Sequence, residues 1–316
     1  MPIQPSDAAK VAAVKNLTQG VKDAWGPDIL AGIWDRAFQG SVVQQVAGTI
    51  PLELNGAALP YPVGQPTASV VSEMGEKPLV KAGIDVKMIK PIKVAAILVY
   101  SMEMAQANPL RAFDSIRATL SNAISRAIDN SVIHGKDAPS GAVIPDVEAL
   151  TSTTKEVEID KASTKPGYLH DAILDGYDLV NVSDGAGGRF GMTHLIASPA
   201  MRSLFLRGKD TTGRPLYQGS HDITVQVANI MGLSTHFSDA VNGYEATSQP
   251  NLLAIGGAFN QNLQLGFVNR LQTSVASEYA GGMDLFTHNM HAIRVEAQFG
   301  WGIRSKDAFV KYVAKA

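Results

Sequence analysis

The chain has no cysteine among its 316 residues. Disulfides, thiolate metal sites and cysteine nucleophiles are therefore excluded, and stability must come from packing and association. Charged residues make up only 18% of the sequence, below the roughly 25% that is usual for soluble domains. This shortage of charge favours a protein that buries more of its surface than usual between subunits.

Long apolar runs are also missing. The longest spans residues 94–100, whereas a membrane-spanning helix needs about 20 apolar residues. The amino-terminal residues lack the basic region and apolar core of a signal peptide, so we expect no membrane partner and synthesis in the cytoplasm. A net charge of −2 provides no strongly basic face, so any contact with DNA should be weak and local.

Motifs for catalysis and cofactor binding are missing as well. Residues 185–191 miss the dinucleotide-binding glycine pattern by one position, because Phe190 stands where the last glycine is required. His288 and His291 are three residues apart but have no third ligand in view, which argues against zinc. We therefore predict no catalytic residue, no cofactor and no metal. The lack of catalytic motifs favours a structural protein over an enzyme.

The strongest pattern that is present predicts a helix over residues 109–134, with Pro109 in its first turn and Gly135 at its end. At 1.5 Å per residue this helix would be a rod of roughly 39 Å. Apolar residues recur every three or four positions along it: Leu110, Phe113, Ile116, Leu120, Ile124, Ile128 and Val132. Its other face carries charged residues that we expect to face solvent: Arg111, Asp114, Arg117, Arg126 and Asp129.

A hairpin-like segment precedes this helix. Residues 84–90 place Ile84, Val86 and Met88 on one face, and the alternation continues after Pro91 through residues 94–98. Further extended pieces are predicted at 50–54 and 69–74. An isolated two-stranded ribbon is marginal in water, so the simplest cover for this one is another copy of the same chain.

The remaining patterns predict an α+β fold. Because the long helix and a final alternating strand bracket the middle of the chain, we expect them to form one discontinuous domain, into which residues 167–270 are inserted. The predicted elements are a strand at 157–159, a helix at 169–180, a buried strand at 193–197, a helix between Ser198 and Gly208, a strand at 252–255 and the alternating strand Ile293–Ile303.

Several segments of the chain, and the order in which they follow one another, resemble tailed-phage major capsid proteins of the Hong Kong 97 capsid fold, particularly those of actinobacterial phages. Residues 71–78 resemble the extended-loop signature of that family, and residues 91–103 are similar to the strand that returns to its long helix. The other matching segments are 130–137, 198–201, 213–217, 230–232 and 286–310. One departure is Gly257-Ala258-Phe259-Asn260, where relatives often have Gly-Asp-Phe, and we give that position no functional weight.

The resemblance implies four regions. They are an amino-terminal arm at 1–48, an extended β-hairpin loop at 49–98, a peripheral domain at 99–166 and 271–316 that contains the spine helix 109–134, and an axial domain at 167–270. It further implies hexamers and pentamers that close into an icosahedral shell around packaged double-stranded DNA, made in the host cytoplasm and kept in the virion.

The resemblance also implies partners. Because the arm is too short for the scaffolding segment of some relatives, we expect a separate scaffolding protein, together with a portal; whether a decoration protein binds is left open. The residues that we predict at subunit interfaces are Glu73, Glu76, Lys77, Lys81, Ile84, Val86, Met88, Arg207 and Arg214.

Some of these residues admit two interpretations. Relatives can join a loop lysine to an asparagine, but for Lys77, Lys81 and Lys87 we favour ordinary edge-protecting lysines. Arg207 and Arg214, with Lys209, either contact neighbouring subunits or cap the carbonyls of a helix end, and we favour capping.

Two alternatives to a phage capsid stay open at the sequence level. The nearer is an encapsulin-type shell of the same fold, which encloses an enzyme instead of DNA. The more distant is a soluble α+β hydrolase with an unrecognised carboxylate or histidine site.

Overall fold

The computed structural model describes most of the chain, and the arm prediction for residues 1–39 lies outside the described residues. Those described are 40–63, 69–73, 77, 83–103, 109–163, 165–181, 190–214, 216, 229–280 and 282–315.

Helices and strands alternate irregularly along the chain, as predicted for an α+β fold. In chain order the elements are α1 (Val42–Val46), β1 (Gly48–Thr49), β2 (Ala57–Val63), β3 (Gly83–Ile89), β4 (Ile92–Ser101), α2 (Pro109–His134), β5 (Glu156–Ile159), α3 (Tyr168–Asn181), β6 (His194–Ala197), α4 (Pro199–Arg207), β7 (Asn229–Ile230), β8 (Leu233–Phe237), β9 (Leu252–Gly257), α5 (Phe259–Asn262), β10 (Leu263–Ala276), β11 (Tyr279–Ala280), β12 (Met283–Asp284), β13 (Met290–Ile303) and β14 (Phe309–Ala314).

The largest sheet has six strands in the order β5-β14-β9-β6-β8-β7. It is mixed, because β5 pairs parallel to β14 and β6 parallel to β8, while β9 runs antiparallel to both of its neighbours. Helices α3 and α4 pack on this sheet around fully buried side chains that include Ile173, Phe205 and Tyr312. This is the main described core, and it stabilises the fold mostly by burying apolar surface.

Three smaller sheets complete the described fold: one of order β1-β10-β13-β4 and the two-stranded ribbons β2-β3 and β11-β12. The chain divides into two compact units. The first includes the described residues within 93–125 and 269–298, and the second includes those within 41–92, 126–268 and 299–315. The four-region division implied by the resemblance stays a prediction.

Most predicted elements are confirmed. The long helix spans Pro109–His134 and ends at Gly135, whose φ of +65° suits the left-handed conformation that glycine adopts most easily. Among the described side chains of the apolar stripe, those from Leu120 to Val132 are buried. Helix α4 is capped by Ser198, whose hydroxyl accepts from the Ala200 amide, and it ends before Gly208 as predicted.

The pairing of the hairpin differs from the prediction. Strand β3 pairs with β2, which the sequence patterns did not indicate, and not with the following strand β4. Pro60 and Pro62 hid β2, since proline is unusual within a sheet. They alternate with Leu59 and Tyr61, so the missing amides fall on one edge of the strand and the other edge stays able to pair. Residues 69–73, predicted as extended, contain no strand.

The prediction that Asp129 faces solvent is wrong. Asp129 is only 2% exposed. The last turns of α2 are buried around their whole circumference, and not only along the apolar stripe. Arg126, one turn earlier, does reach the surface, where its guanidinium carbon lies 4.2 Å from the centre of the Tyr244 ring. The side chains of Arg111, Asp114 and Arg117 lie outside the described residues.

Candidate assembly surfaces

The β2-β3 ribbon, which we call the hairpin, has one apolar face that nothing in the described chain covers. Ile84, Val86 and Met88 stand on this face and are 73%, 49% and 60% exposed. The register sets Val86 opposite Pro60 and Met88 opposite Ala58, both of which are also exposed. The sequence therefore predicted this face correctly, and the fold leaves it open to a partner.

The opposite face of the hairpin carries the polar pair Tyr61 and Asp85 near its tip and the buried Leu59 and Ile89 at its root. The Tyr61 hydroxyl donates to the Asp85 carboxylate across the strands, with 2.7 Å between the oxygens. This hydrogen bond, with one from the Val86 amide, lowers the pKa of Asp85, and the Tyr61–Asp85 bond raises the pKa of Tyr61. The ribbon is thus stiffened on one side while its apolar side chains project from the other.

The root of the hairpin is anchored by a small core. Leu52, Leu59 and Ile89 are buried together. A Cβ at Gly302 of β13 would lie 2.9 Å from carbon atoms of both Ile89 and Leu59. The absence of a side chain at that strand position therefore lets the hairpin root pack closely against it.

Lys87, for which crosslinking and edge protection stay untested interpretations, is bonded within its own subunit. Its ammonium group lies 3.1 Å from the Glu148 carboxylate and donates to the Ile303 carbonyl oxygen at 2.8 Å. Lys306 approaches the same carboxylate at 3.4 Å, and the Trp301 indole donates to the Glu148 carbonyl. Lys87 therefore joins the hairpin to its own subunit.

A second buried arrangement holds the segment that begins at residue 41. The Asp129 carboxylate accepts from the Ser41 hydroxyl at 2.6 Å and from the Val42 and Val43 amides, each at 3.1 Å. Ser41 in turn caps α1 by accepting from the Gln44 amide. Burial raises the pKa of Asp129 to about 6, while these three hydrogen bonds act in the opposite direction.

The remaining predicted interface residues are only partly placed. Glu73 and Lys77 are exposed, whereas Glu76 and Lys81 lie outside the described residues. Arg207, in the last turn of α4, and Arg214 are both exposed, and within the described ranges neither side chain donates to a helix-end carbonyl. The fold thus brings Ile84, Val86 and Met88 together but does not join them to the arginines.

Asp210 organises the loop that carries Arg214. Its carboxylate accepts from the Thr212 and Arg214 amides, each at 2.8 Å, and from the Thr212 hydroxyl. These hydrogen bonds lower the pKa of Asp210. The loop that follows α4 therefore has a defined turn that presents its side chains outward.

Metal-binding and membrane-spanning features are not found among the described residues. They contain no group of three acidic or histidine side chains gathered closely enough to hold a metal ion. Within the same ranges, no helix combines the length and the apolarity that a bilayer crossing requires.

Comparison with known proteins agrees with this picture of a self-associating subunit. The model of the phage capsid family matches residues 26–314. The chain is 30% identical over 285 residues to the probable major capsid protein gp17 of Mycobacterium phage L5, covering 86% of this chain and 83% of that protein. A solved structure from Gordonia phage Cozz matches with a TM-score of 0.73 at 25% identity, covering 87% of each chain. One from Mycobacterium phage Ogopogo matches with a TM-score of 0.68 at 25% identity, covering 87% of this chain and 92% of the other.

The chain belongs to the phage capsid family. The predicted capsid fold and the predicted role of major capsid protein are thereby confirmed. As a member of this structural family the chain associates with copies of itself and is a virion component. The encapsulin and hydrolase alternatives gain no support, because the matching family and the named relative are capsid proteins.

Sequence reasoning missed the residues that fasten the hairpin and the segment at residue 41. These residues are Glu148, Trp301 and Asp129. Each is far along the chain from the group that it binds, so no sequence spacing predicts the contact. A usable signal existed only for Asp129: it lies among Ile128, Val132 and Ile133, where a carboxylate on a mostly apolar turn suggests an internal partner.

Proposed function

We propose that this capsid protein builds hexamers and pentamers of an icosahedral shell, and that a neighbouring copy covers the apolar face of the hairpin. The exposure of Ile84, Val86 and Met88 carries this proposal. A ribbon with an uncovered apolar face is marginal alone, and its opposite face is already engaged within the subunit. Each standard interface buries roughly 1,600 Å², so several neighbours together would hold a closed container.

The hairpin face can be tested with Ile84→Asp and Val86→Asp. A carboxylate buried there without a partner should prevent shell formation while leaving a soluble subunit. Negative-stain imaging and size-exclusion chromatography measure the outcome. Val143→Asp is the matched control, since Val143 is 72% exposed and lies outside the hairpin, and it should assemble normally. Shells of normal size and yield from the hairpin variants would refute the role of this face.

The proposed partners go beyond copies of the chain. Packaged double-stranded DNA would meet the inner face by weak contacts, as expected from a net charge of −2. A separate scaffolding protein and a portal would act during assembly in the host cytoplasm, and a decoration protein is compatible with the same shell. Nuclease-treated particles that retain DNA of genome length would support DNA as a partner, and particles that contain no DNA would contradict it.

We assign the chain no catalytic activity of its own. Its work would be mechanical, with Glu73, Glu76, Lys77, Lys81, Arg207 and Arg214 at interfaces between subunits. The arm at 1–48, loop at 49–98, peripheral domain and axial domain at 167–270 remain the proposed division of this work.

A further inference from the structure

Helix α3 and strand β5 present an acidic surface that the described chain does not neutralise. Asp175 and Asp178 are exposed one turn apart on α3, and Glu158 is exposed on β5. These three carboxylates and Leu179, which is 38% exposed, line one shallow groove and form what we call the acidic face. None of the three has an ion-pair partner among the described residues, whereas their neighbour Glu156 lies 2.8 Å from the Lys311 ammonium.

This arrangement is unfavourable in a lone subunit. Asp178 stands in the last turn of α3, where the helix dipole disfavours negative charge, and that turn has no basic residue. Asp175 and Asp178 also repel each other, because residues three apart are neighbours on a helix. A cation from outside the subunit would relieve both penalties.

The same unit carries a basic cleft of about 720 Å³ near the amino-terminal end of α3. Lys161, Lys165, Arg207 and Lys209 line it and are all exposed. Its two acidic residues are already engaged: Asp160 accepts from the Ala162 amide at 2.9 Å, and Asp210 accepts from its own loop. The four cations have no carboxylate partner among the described residues, and Leu204, Leu206 and Leu216 add an apolar lining.

A subunit cannot bring its own acidic face into its own cleft. Asp178 is ten residues along α3 from Tyr168, which lines the cleft, so the two surfaces are separated by roughly 15 Å along a rigid helix. Two unlike surfaces on identical chains join head to tail, and a head-to-tail contact closes into a ring when its rotation permits.

We propose that the acidic face of one copy docks in the basic cleft of the next copy around each hexamer or pentamer. This inference rests on the proposed function and adds to it the surfaces through which neighbours in one ring recognise each other. Opposite charges would select the partner and speed encounter, and the leucines on both surfaces would pack at the centre. Because the charges are exposed, added salt should weaken the contact.

Charge reversal tests this proposal. Asp175→Lys with Asp178→Lys, or Lys165→Glu with Lys209→Glu, should raise the concentration needed for ring and shell formation by about tenfold or more, since like charges then meet. The chain with all four substitutions keeps the wild-type net charge and restores opposite signs, so its assembly should return to within a few-fold of wild type. Analytical ultracentrifugation at low and high salt measures assembly, and circular dichroism checks folding.

The milder pair Asp175→Asn and Asp178→Asn guards against misfolding of the reversed chains. It should weaken assembly and reduce its salt dependence. The inference is overturned if folded variants with only one surface reversed assemble like wild type. It is also overturned if the chain with all four substitutions assembles no better than those variants. Either result leaves the proposed function standing, whereas a wild-type chain that forms neither rings nor shells overturns both.

Discussion

At the residue scale, Asp129 ties the segment that begins at residue 41 to the long helix. One carboxylate satisfies the Ser41 hydroxyl and two amides of the first turn of α1. Without it these donors would be buried and unpaired, which costs about 1–3 kcal/mol for each group. The segment therefore depends on a single side chain that lies 86 to 88 residues away along the chain.

The raised pKa of Asp129 makes its contribution depend on pH. In the unfolded chain the pKa of this carboxyl should lie near its ordinary value of 3.8, and in the folded protein it lies near 6. Between these values the folded state holds a proton that the unfolded state lacks. The stability linked to Asp129 is therefore fully present below about pH 4 and is lost as pH rises through about 6, a difference of about 3 kcal/mol.

Asp129→Asn should remove this dependence. In a Val86→Asp background that keeps the subunit unassembled, we expect the free energy of unfolding of the parent relative to the variant to fall by about 2.5 kcal/mol between pH 4 and pH 7. Urea unfolding at several pH values measures it. Ser131→Ala is the control, because it removes a buried hydroxyl of the same helix that does not titrate, so the difference in unfolding free energy between parent and Ser131→Ala should stay flat with pH. Parallel pH profiles for the parent and Asp129→Asn would contradict the assignment.

At the element scale, helix α3 packs on β14 only because residue 176 is glycine. A Cβ at Gly176 would lie 2.1 Å from the Tyr312 hydroxyl oxygen and 2.9 Å or less from two ring carbons. Tyr312 is fully buried, and its hydroxyl donates to the Ile173 carbonyl at 3.3 Å. A buried aromatic ring has little room to move. The distance between α3 and β14 at this point therefore depends on the lack of a side chain at residue 176.

Gly176→Ala should therefore destabilise the subunit. Alanine favours the helix by about 1 kcal/mol, but overpacking against a ring typically costs about 1–3 kcal/mol, so we expect a net loss with a lower urea midpoint. Gly191→Ala is the control, because a Cβ there meets no atom of the described residues within 4 Å, and its urea midpoint should not fall. A Gly176 variant that is as stable as the parent would show that the contact relaxes freely.

Elements also differ in how far their sequence determines them. The period of the α2 stripe and the alternation of residues 293–303 each describe an element by itself, and both were predicted correctly. The partner of β3 is a different kind of fact: it depends on β2, which two prolines disguise, and on Gly302, whose small size lets the hairpin root approach. Strand pairing is a relation between segments, so a pattern read along one of them does not contain it.

At the scale of the whole molecule, a shell gains stability from many contacts that are individually modest. Binding that occurs only in the folded state stabilises it by mass action, by about 2.7 kcal/mol when the partner is at 100 times its dissociation constant. For a chain of 316 residues, whose unfolding entropy is about 2.1 cal/mol/K per residue, such a gain raises the unfolding midpoint by roughly 4 °C. Assembly and folding stability should therefore be coupled.

Calorimetry checks this coupling. Assembled wild-type shells should unfold at a midpoint higher by roughly 4 °C than the Val86→Asp subunit, whose midpoint should not change with protein concentration. Shells of the Val143→Asp control should behave as wild type. Equal midpoints for the shell and the lone subunit would mean that the interfaces add no net stability.

The sequence by itself determined the long helix with its stop at Gly135, most strands of the α+β fold, the apolar face of the hairpin and, through its resemblance, the capsid family. These features depend on local periodicity, on turn residues and on the order of segments, all of which are properties of the chain read in line. The tertiary structure alone decided that Asp129 is buried, that Lys87 is bound to Glu148 and that β3 pairs with β2. Each of those outcomes joins groups far apart in sequence, and their energies come from burial and hydrogen bonding that exist only once the chain has folded.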